Sequence, residues 1–304
     1  MFIVLHRKIF YLISGILAGV SIFALIFWGF NPSIDFKGGS IMEIKYTEGA
    51  SEAQKIQTAV EELGVDSVSV RAAGNGNASS FIIRAGEISD AKHAEVIKIL
   101  SGLGSGFSEE RFSSIGPVLG KEAVKKSFLS ILMVLLAIVL FMTFAFRKVS
   151  EPVSSWKYGL ITIIALAHDV IIPTGAFAIM GHFGGVEVDT LFVTALLVIL
   201  GFSVHDTIVV FDRVRENLKN AREYREKKDF SIIVGESINQ TFVRSINTSM
   251  TTVLALFVLY FIGAEATKYF SLALIIGITA GTYSSIFIGS PLLVTLERWQ
   301  NKKA

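Results

Sequence analysis

The sequence predicts a polytopic α-helical membrane protein, with six transmembrane helices and one ferredoxin-like α+β (βαββαβ) periplasmic domain between helices 1 and 2. Three observations carry this. Of 304 residues, 52% are hydrophobic and only 18% charged, against about 25% charged in an average soluble domain. Six stretches are apolar enough to span a hydrocarbon core of about 30 Å, which takes about 20 residues per helix. One block, residues 35–126, reads instead like ordinary globular sequence. The expected divisions are 1–31 for the N-terminus and helix 1, 32–126 for the exported domain, and 127–304 for helices 2–6 with a cytoplasmic loop at 213–241.

The six spans run 9–30, 128–146, 158–180, 190–211, 242–262 and 270–293. Arg7 and Lys8 precede the first as they would a signal peptide, but it is too long for a signal h-region and no A-x-A site follows, so it reads as a retained helix. Lysine and arginine in short loops set orientation. An inside N-terminus puts Arg7, Lys8, Arg147, Lys148, Lys157, the seven basic residues from Arg213 to Lys228, and Arg298, Lys302 and Lys303 in the cytoplasm. The two short outer loops then hold only Lys268. Both termini are expected in the cytoplasm and the polar block outside it.

Within that block, Ile41, Met42, Ile44 and Tyr46 mark a strand over 40–46, and Ala53, Ile56, Val60 and Leu63 have helical spacing. Short strands over 66–71 and 80–84 flank a turn at Gly74-Asn75-Gly76-Asn77. A second helix over 90–100 is capped by Ser89 or Asp90, and a last strand near 111–115 completes the ferredoxin-like order.

The formal net charge of +2 is too small to suggest a nucleic-acid partner. With no cysteine, disulfides, thiolate nucleophiles and Cys-ligated zinc are excluded together. No metal-ligand spacing, P-loop, nucleophile elbow or dinucleotide fingerprint occurs. The chain reads as no enzyme, and no nucleotide bound to it supplies energy.

Ionisable residues inside the spans are the sharpest functional signal, since a charge at mid-bilayer costs about 2.5–3.5 kcal/mol even on the mildest scale. Helix 3 carries His168-Asp169 near its midplane, and helix 4 carries His205-Asp206 in its cytoplasmic half. Burial favours the protonated carboxyl and a nearby cation the ionised one, so such a group can take and release protons. The candidate cation is Arg244, at the start of helix 5. Asn247 or Thr248 and Thr251 follow it on one face, with Ser245, Ser249 and Thr252 on the adjoining stripe. A wet path fits that row; so does simple packing, with each hydroxyl bonded back to its own helix. Asp206 and Arg244 also fit a static ion pair. Asp169 fits a local polar repair, because Pro173 frees the carbonyl four residues earlier. His168 and His205 suit hydrogen-bonded packing better than a relay.

Gly15 with Gly19, and Gly277 with Gly281 followed by Ser284 and Ser285, are G-x-x-x-G patterns where helices can approach closely. Val214, Leu218 and Ala221 line one face of a charged segment, which reads as an amphipathic helix on the inner leaflet.

The chain resembles the SecF family, the smaller subunits of bacterial SecD–SecF protein-export complexes, related to the resistance-nodulation-division transporters. The resemblance spans essentially the whole chain. It rests on Asp35-Phe36-Lys37-Gly38-Gly39, Ile115-Gly116-Pro117 with Gly120, His168-Asp169-Val170 with Gly175, the run from Val204 through His205-Asp206-Thr207 to Asn217, Arg244-Ser245-Ile246-Asn247-Thr248-Ser249 with Thr251-Thr252, and Gly281-Thr282-Tyr283-Ser284-Ser285-Ile286-Phe287. It implies an accessory subunit in the bacterial cytoplasmic membrane, working with SecD beside the SecY, SecE and SecG channel and indirectly with SecA. Its periplasmic domain would hold an unfolded preprotein, driven by protonmotive force with no cofactor.

The family's helix-4 aspartate and helix-5 arginine map onto Asp206 and Arg244; Asp169 and Thr248 join them as proton-relay candidates, with His168 and His205 beside them. Two features depart from the pattern: Pro173 lies within helix 3, and the SecD half with its own membrane aspartate is absent. The competing readings are a scaffold that moves no protons, and a proton-driven small-molecule exporter of the same superfamily. Such exporters carry two large exported domains per chain, against about 90 exported residues here.

Overall fold

The computed structural model describes residues 2–47, 52–73, 79–147, 153–225 and 228–301. The elements in chain order are α1 (Phe2–Leu5), α2 (Arg7–Phe27), α3 (Ile34–Lys37), β1 (Gly39–Tyr46), α4 (Ala53–Glu61), β2 (Ser69–Ala73), β3 (Ser79–Ala85), α5 (Asp90–Ser101), β4 (Ser108–Ile115), α6 (Pro117–Ala145), α7 (Ser155–Gly184), α8 (Thr190–Glu223), α9 (Phe230–Ile262) and α10 (Glu265–Ser284). A π-helical turn (Ser285–Gly289) and α11 (Ser290–Asn301) follow. The chain divides into two compact units, residues 1–31 with 129–304 and residues 32–128. The expected turn at Gly74-Asn75-Gly76-Asn77, and Lys148, Lys302 and Lys303, lie outside the described residues.

Residues 32–128 form a four-stranded sheet of order β2-β3-β1-β4, antiparallel throughout. This is the ferredoxin-like arrangement that the element order predicts. Alternation along β1 buries Met42, Ile44 and Tyr46, which pack with Ile56 and Val60 of α4, Val96 and Leu100 of α5, and Phe81 and Ile83 of β3. The Tyr46 hydroxyl donates to the Leu100 carbonyl at 2.7 Å, and burial raises its pKa to about 12. Ser89 stands at the N-cap of α5 without a side-chain cap bond.

The two ends of this unit are fastened to each other. Gly38 and Gly39 have φ of +79° and +119°, values that L side chains rarely adopt. A Cβ on Gly38 would stand 2.8 Å from the Cα of Pro117, and one on Gly120 would stand 2.8 Å from the carbonyl oxygen of Phe36. The glycines of the Asp35–Gly39 and Ile115–Gly120 motifs therefore let two backbone segments touch.

Among the described residues, six helices are long and apolar enough to cross a membrane: Arg7–Phe27, Pro117–Ala145, Trp156–Gly184, Thr190–Glu223, Phe230–Ile262 and Ala266–Gln300. The protein is a multi-pass membrane protein. Several helices outrun the apolar stretches that predict them. Helix α6 begins at Pro117, since proline suits the first helical position and its missing N–H costs nothing there; Lys121, Glu122, Lys125 and Lys126 mask that first part in a hydropathy reading. Helix α7 continues unbroken through Pro173. There the Thr174 hydroxyl reaches the carbonyls of Val170 and Ile171 at 2.7 and 2.9 Å.

The segment expected as an amphipathic helix on the inner leaflet is instead the last three turns of α8. Its apolar face of Val214, Leu218 and Ala221 is buried in one cluster with Phe230, Ile233, Val234 and Ile238 at the start of α9. The two helices thus form a hairpin whose facing apolar sides are continuous with the core of the membrane unit, which also takes in Phe146, Tyr158, Phe211 and Leu293. Asp229 caps α9, accepting from the Ser231 N–H at 2.8 Å, and that bond holds its carboxyl below the usual range.

Candidate functional site

Packing in the membrane unit depends on missing side chains. A Cβ on Gly277 of α10 would lie 2.1 Å from Ile199 Cδ1 of α8, and one on Gly281 would lie 3.0 Å from Ser203 Cβ. So α10 approaches α8 closely along this stripe. On α2 the close approach uses Ser21, whose Cβ a side chain on Gly175 would meet at 2.2 Å, whereas the positions above Gly15 and Gly19 are open. The G-x-x-x-G pair of α2 is therefore not a packing face within this chain.

These contacts bring two carboxylates into the interior. Asp169 is fully buried and Asp206 is 4% exposed. Asp169 Oδ2 accepts from the hydroxyls of Ser203 on α8 and Ser284 on α10. Its Oδ1 lies 2.9 Å from His168 Nδ1. Asp206 accepts from Ser245 of α9 at 2.7 Å and from Ser285 of the π turn at 3.1 Å. Farther along, Ser249 and Thr282 hydrogen-bond across α9 and α10. Neutral hydroxyls drawn from α8, α9, α10 and the π turn thus solvate both carboxyls, while α7 and α8 supply the acids.

Two buried polar atoms adjoin this network without a hydrogen-bond partner among the described residues: His168 Nε2 and Thr207 Oγ1. An unmade bond of this kind costs about 1–3 kcal/mol.

Arg244 is not brought to Asp206. It is exposed, as are Asn247, Thr248 and Thr251 on the same face of α9, and no carboxylate among the described residues lies within ion-pair distance of it. The Thr248 hydroxyl bonds back to the Arg244 carbonyl at 2.9 Å. His205 is likewise exposed, while its neighbour Asp206 points inward. The aspartate and arginine singled out in the sequence therefore lie on different faces of the helix pair, and the neighbours of Asp206 are Ser245, whose stripe fits a wet path or simple packing in the sequence, and Ser285, which the sequence places beside the close-packing glycines.

With this geometry in place, the relatives are informative. Residues 95–299 match the family described as "Protein export membrane protein SecD/SecF, C-terminal", and residues 23–50 match the "SecD/SecF GG Motif". The chain belongs to the SecD/SecF protein-export family. It is 42% identical to "Protein translocase subunit SecF" of Thermobaculum terrenum, over 99% of this chain and 94% of that one. It is 34% identical to "Protein translocase subunit SecDF" of Brucella abortus, over 88% of this chain but 33% of that one. The crystal structure of SecDF from Thermus thermophilus, a translocon-associated membrane protein, superposes with a TM-score of 0.79 at 30% identity, covering 97% of this chain and 38% of that one. The chain thus has the length of SecF subunits and about a third that of SecDF proteins, and its role is the SecF role in protein export. The family's GG motif takes in Gly38 and Gly39, so the paired glycines correspond to the fastened backbone junction described above.

Proposed function

We propose that this SecF-family chain is a proton-coupled subunit that acts with SecD to use the protonmotive force for late preprotein translocation, with Asp206 as the principal proton-exchanging group. One observation carries the reading: Asp206 lies buried inside a membrane-spanning bundle, held by neutral hydroxyls from two other segments and by no cation among the described residues. A static structural carboxylate at that depth calls for a paired charge. One solvated by hydroxyls can hold a proton or release it, because each serine can donate to the ionised form and accept from the protonated one. Asp169, with His168 beside it, is a second such group.

Arg244 fits the partner side of this scheme. A guanidinium among lipid-facing residues needs a counter-charge or polar surroundings, and its exposed stripe with Asn247, Thr248 and Thr251 would meet the SecD half and that subunit's own membrane aspartate. The α+β unit would lie in the periplasm and handle the unfolded preprotein. Both termini and the α8–α9 hairpin would then face the cytoplasm of the inner membrane, beside the SecY, SecE and SecG channel. Protonmotive force would supply the energy without a cofactor.

The test is export into vesicles that contain the channel, SecD and this chain. Dissipating the protonmotive force should slow the late stage of export only when this chain is present. Equal slowing in its absence would refute the reading.

A further inference from the structure

The two carboxylates are gathered by a single dipeptide. Ser284 donates to Asp169 Oδ2 at 2.7 Å and Ser285 donates to Asp206 Oδ2 at 3.1 Å. Consecutive helical residues point about 100° apart, so one peptide unit addresses acids on two different helices. Each serine also has a second acceptor: Ser284 Oγ lies 3.1 Å from the Gly281 carbonyl, and Ser285 Oγ lies 3.0 Å from that of Thr282. A hydroxyl has one proton to donate. It serves an ionised carboxylate in preference, because that bond is charge-assisted. Once the carboxyl is protonated, its O–H becomes the donor and the serine proton turns to the helix carbonyl.

The backbone at this point is itself unusual. The π turn begins at Ser285, and the Ser285 carbonyl accepts both the Ser290 N–H and the Ser290 hydroxyl, the latter at 2.8 Å. Such turns occur mostly as single-turn bulges within α-helices and are frequent at functional sites. Because both hydroxyls hang from one peptide unit here, a backbone adjustment that favours one carboxyl's contact alters the other's. Among the described residues, His168 is the titratable group within hydrogen-bond distance of Asp169, and Asp206 meets only Ser245 and Ser285.

Resting on the proton-exchange reading above, we propose that Ser284 and Ser285 are positioning residues that couple Asp169 to Asp206, so that a proton taken by one carboxyl changes how readily the other takes one. No bond is made or broken at the serines beyond hydrogen bonds. They transmit the change by switching between carboxylate and carbonyl.

The experiment uses the full chain reconstituted with SecD in lipid vesicles, with ¹³C-labelled aspartate carboxyls followed by infrared spectroscopy as the pH is varied. Bands are assigned by their loss in Asp169→Asn and Asp206→Asn. With both serines present, Asp169→Asn should move the pH at which the protonated Asp206 band disappears by about one unit, the scale of an interacting pair. Adding Ser284→Ala or Ser285→Ala should cut that displacement to less than half; either single variant severs one of the two links, so the result does not depend on the double variant folding. Thr162→Ala, an equally buried hydroxyl bonded to a carbonyl of its own helix, is the control and should leave the displacement intact. An undiminished displacement without the serines would overturn the coupling while leaving proton exchange standing. An Asp206 band that never changes with pH would overturn both.

Discussion

The Ser245 hydroxyl donates to Asp206 Oδ1 across 2.7 Å, joining α9 to α8 through a neutral donor, while the next residue toward the N-terminus, Arg244, is exposed. Adjacent residues on α9 thus serve two environments: one solvates the acid within this chain and the other presents a cation outward. This arrangement separates the effect of removing Ser245 from that of removing Arg244.

Arg244→Ala should leave the folded chain's yield and thermal stability in detergent unchanged within about 0.5 kcal/mol, as for a surface change away from packed features, yet lose protonmotive-force-dependent export when SecD is present. Arg244→Lys should also show a strong defect, because a compact ammonium does not replace a planar guanidinium fork. Ser245→Ala should instead lower stability by about 1–3 kcal/mol, the cost of a buried acceptor left short of a donor. A large stability loss in Arg244→Ala, measured by thermal unfolding, would contradict this division.

Close approach at Gly277 predicts a specific rescue. Gly277→Val forces its side chain into the space of Ile199 Cδ1 and should cost about 1–3 kcal/mol, as overpacking does. Ile199→Ala in the same chain should recover part of that loss, read as the melting temperature in detergent. Additive losses would show that the two positions do not meet. At Gly15, where the space above the backbone is open, valine should be tolerated by the isolated chain.

Tyr46 gives a pH prediction for the α+β unit. Its folded pKa is raised to about 12 by burial, above about 10 for an exposed phenol. The neutral phenol is therefore favoured in the fold, and the stability it contributes is complete below about pH 10 and is lost as pH rises toward 12. Ultraviolet titration of the phenols should show this one ionising late, with Tyr46→Phe removing that late step. A titration curve unchanged by Tyr46→Phe above pH 10 would contradict the burial of this phenol.

Much of this architecture is legible in the sequence, because burial imposes a period. Alternation at Met42, Ile44 and Tyr46 and the helical spacing of Ile56 and Val60 gave the elements of the sheet unit, and continuous apolar runs gave the six spans. The α8–α9 hairpin was not legible as such. Val214, Leu218 and Ala221 read alone look like an interfacial face, and only pairing with the matching spacing of Phe230, Ile233, Val234 and Ile238 reveals their partner.

At the site, both acids stand out by their charge, but Ser203, Ser245, Ser284 and Ser285 do not. A serine in a membrane helix ordinarily bonds its own helix carbonyl, as Ser237 does to Ile233, so composition cannot tell which hydroxyls turn to another helix. The usable signals are the hydroxyl stripe of Ser245, Ser249 and Thr252 and the two consecutive serines that follow Gly281. Arg244 misled for the opposite reason, since proximity in helix position does not fix which face a side chain takes.

The account rests on Asp206 exchanging a proton, and Asp206→Asn tests this most directly, because the amide keeps the shape and hydrogen-bonding capacity but cannot release a proton. Vesicles carrying the channel, SecD and either form of the chain are compared for late-stage export with and without protonmotive force. The variant should reach normal abundance and associate with SecD, while its export with protonmotive force falls to the rate seen without it. A full response to protonmotive force in Asp206→Asn vesicles would remove Asp206 from the mechanism.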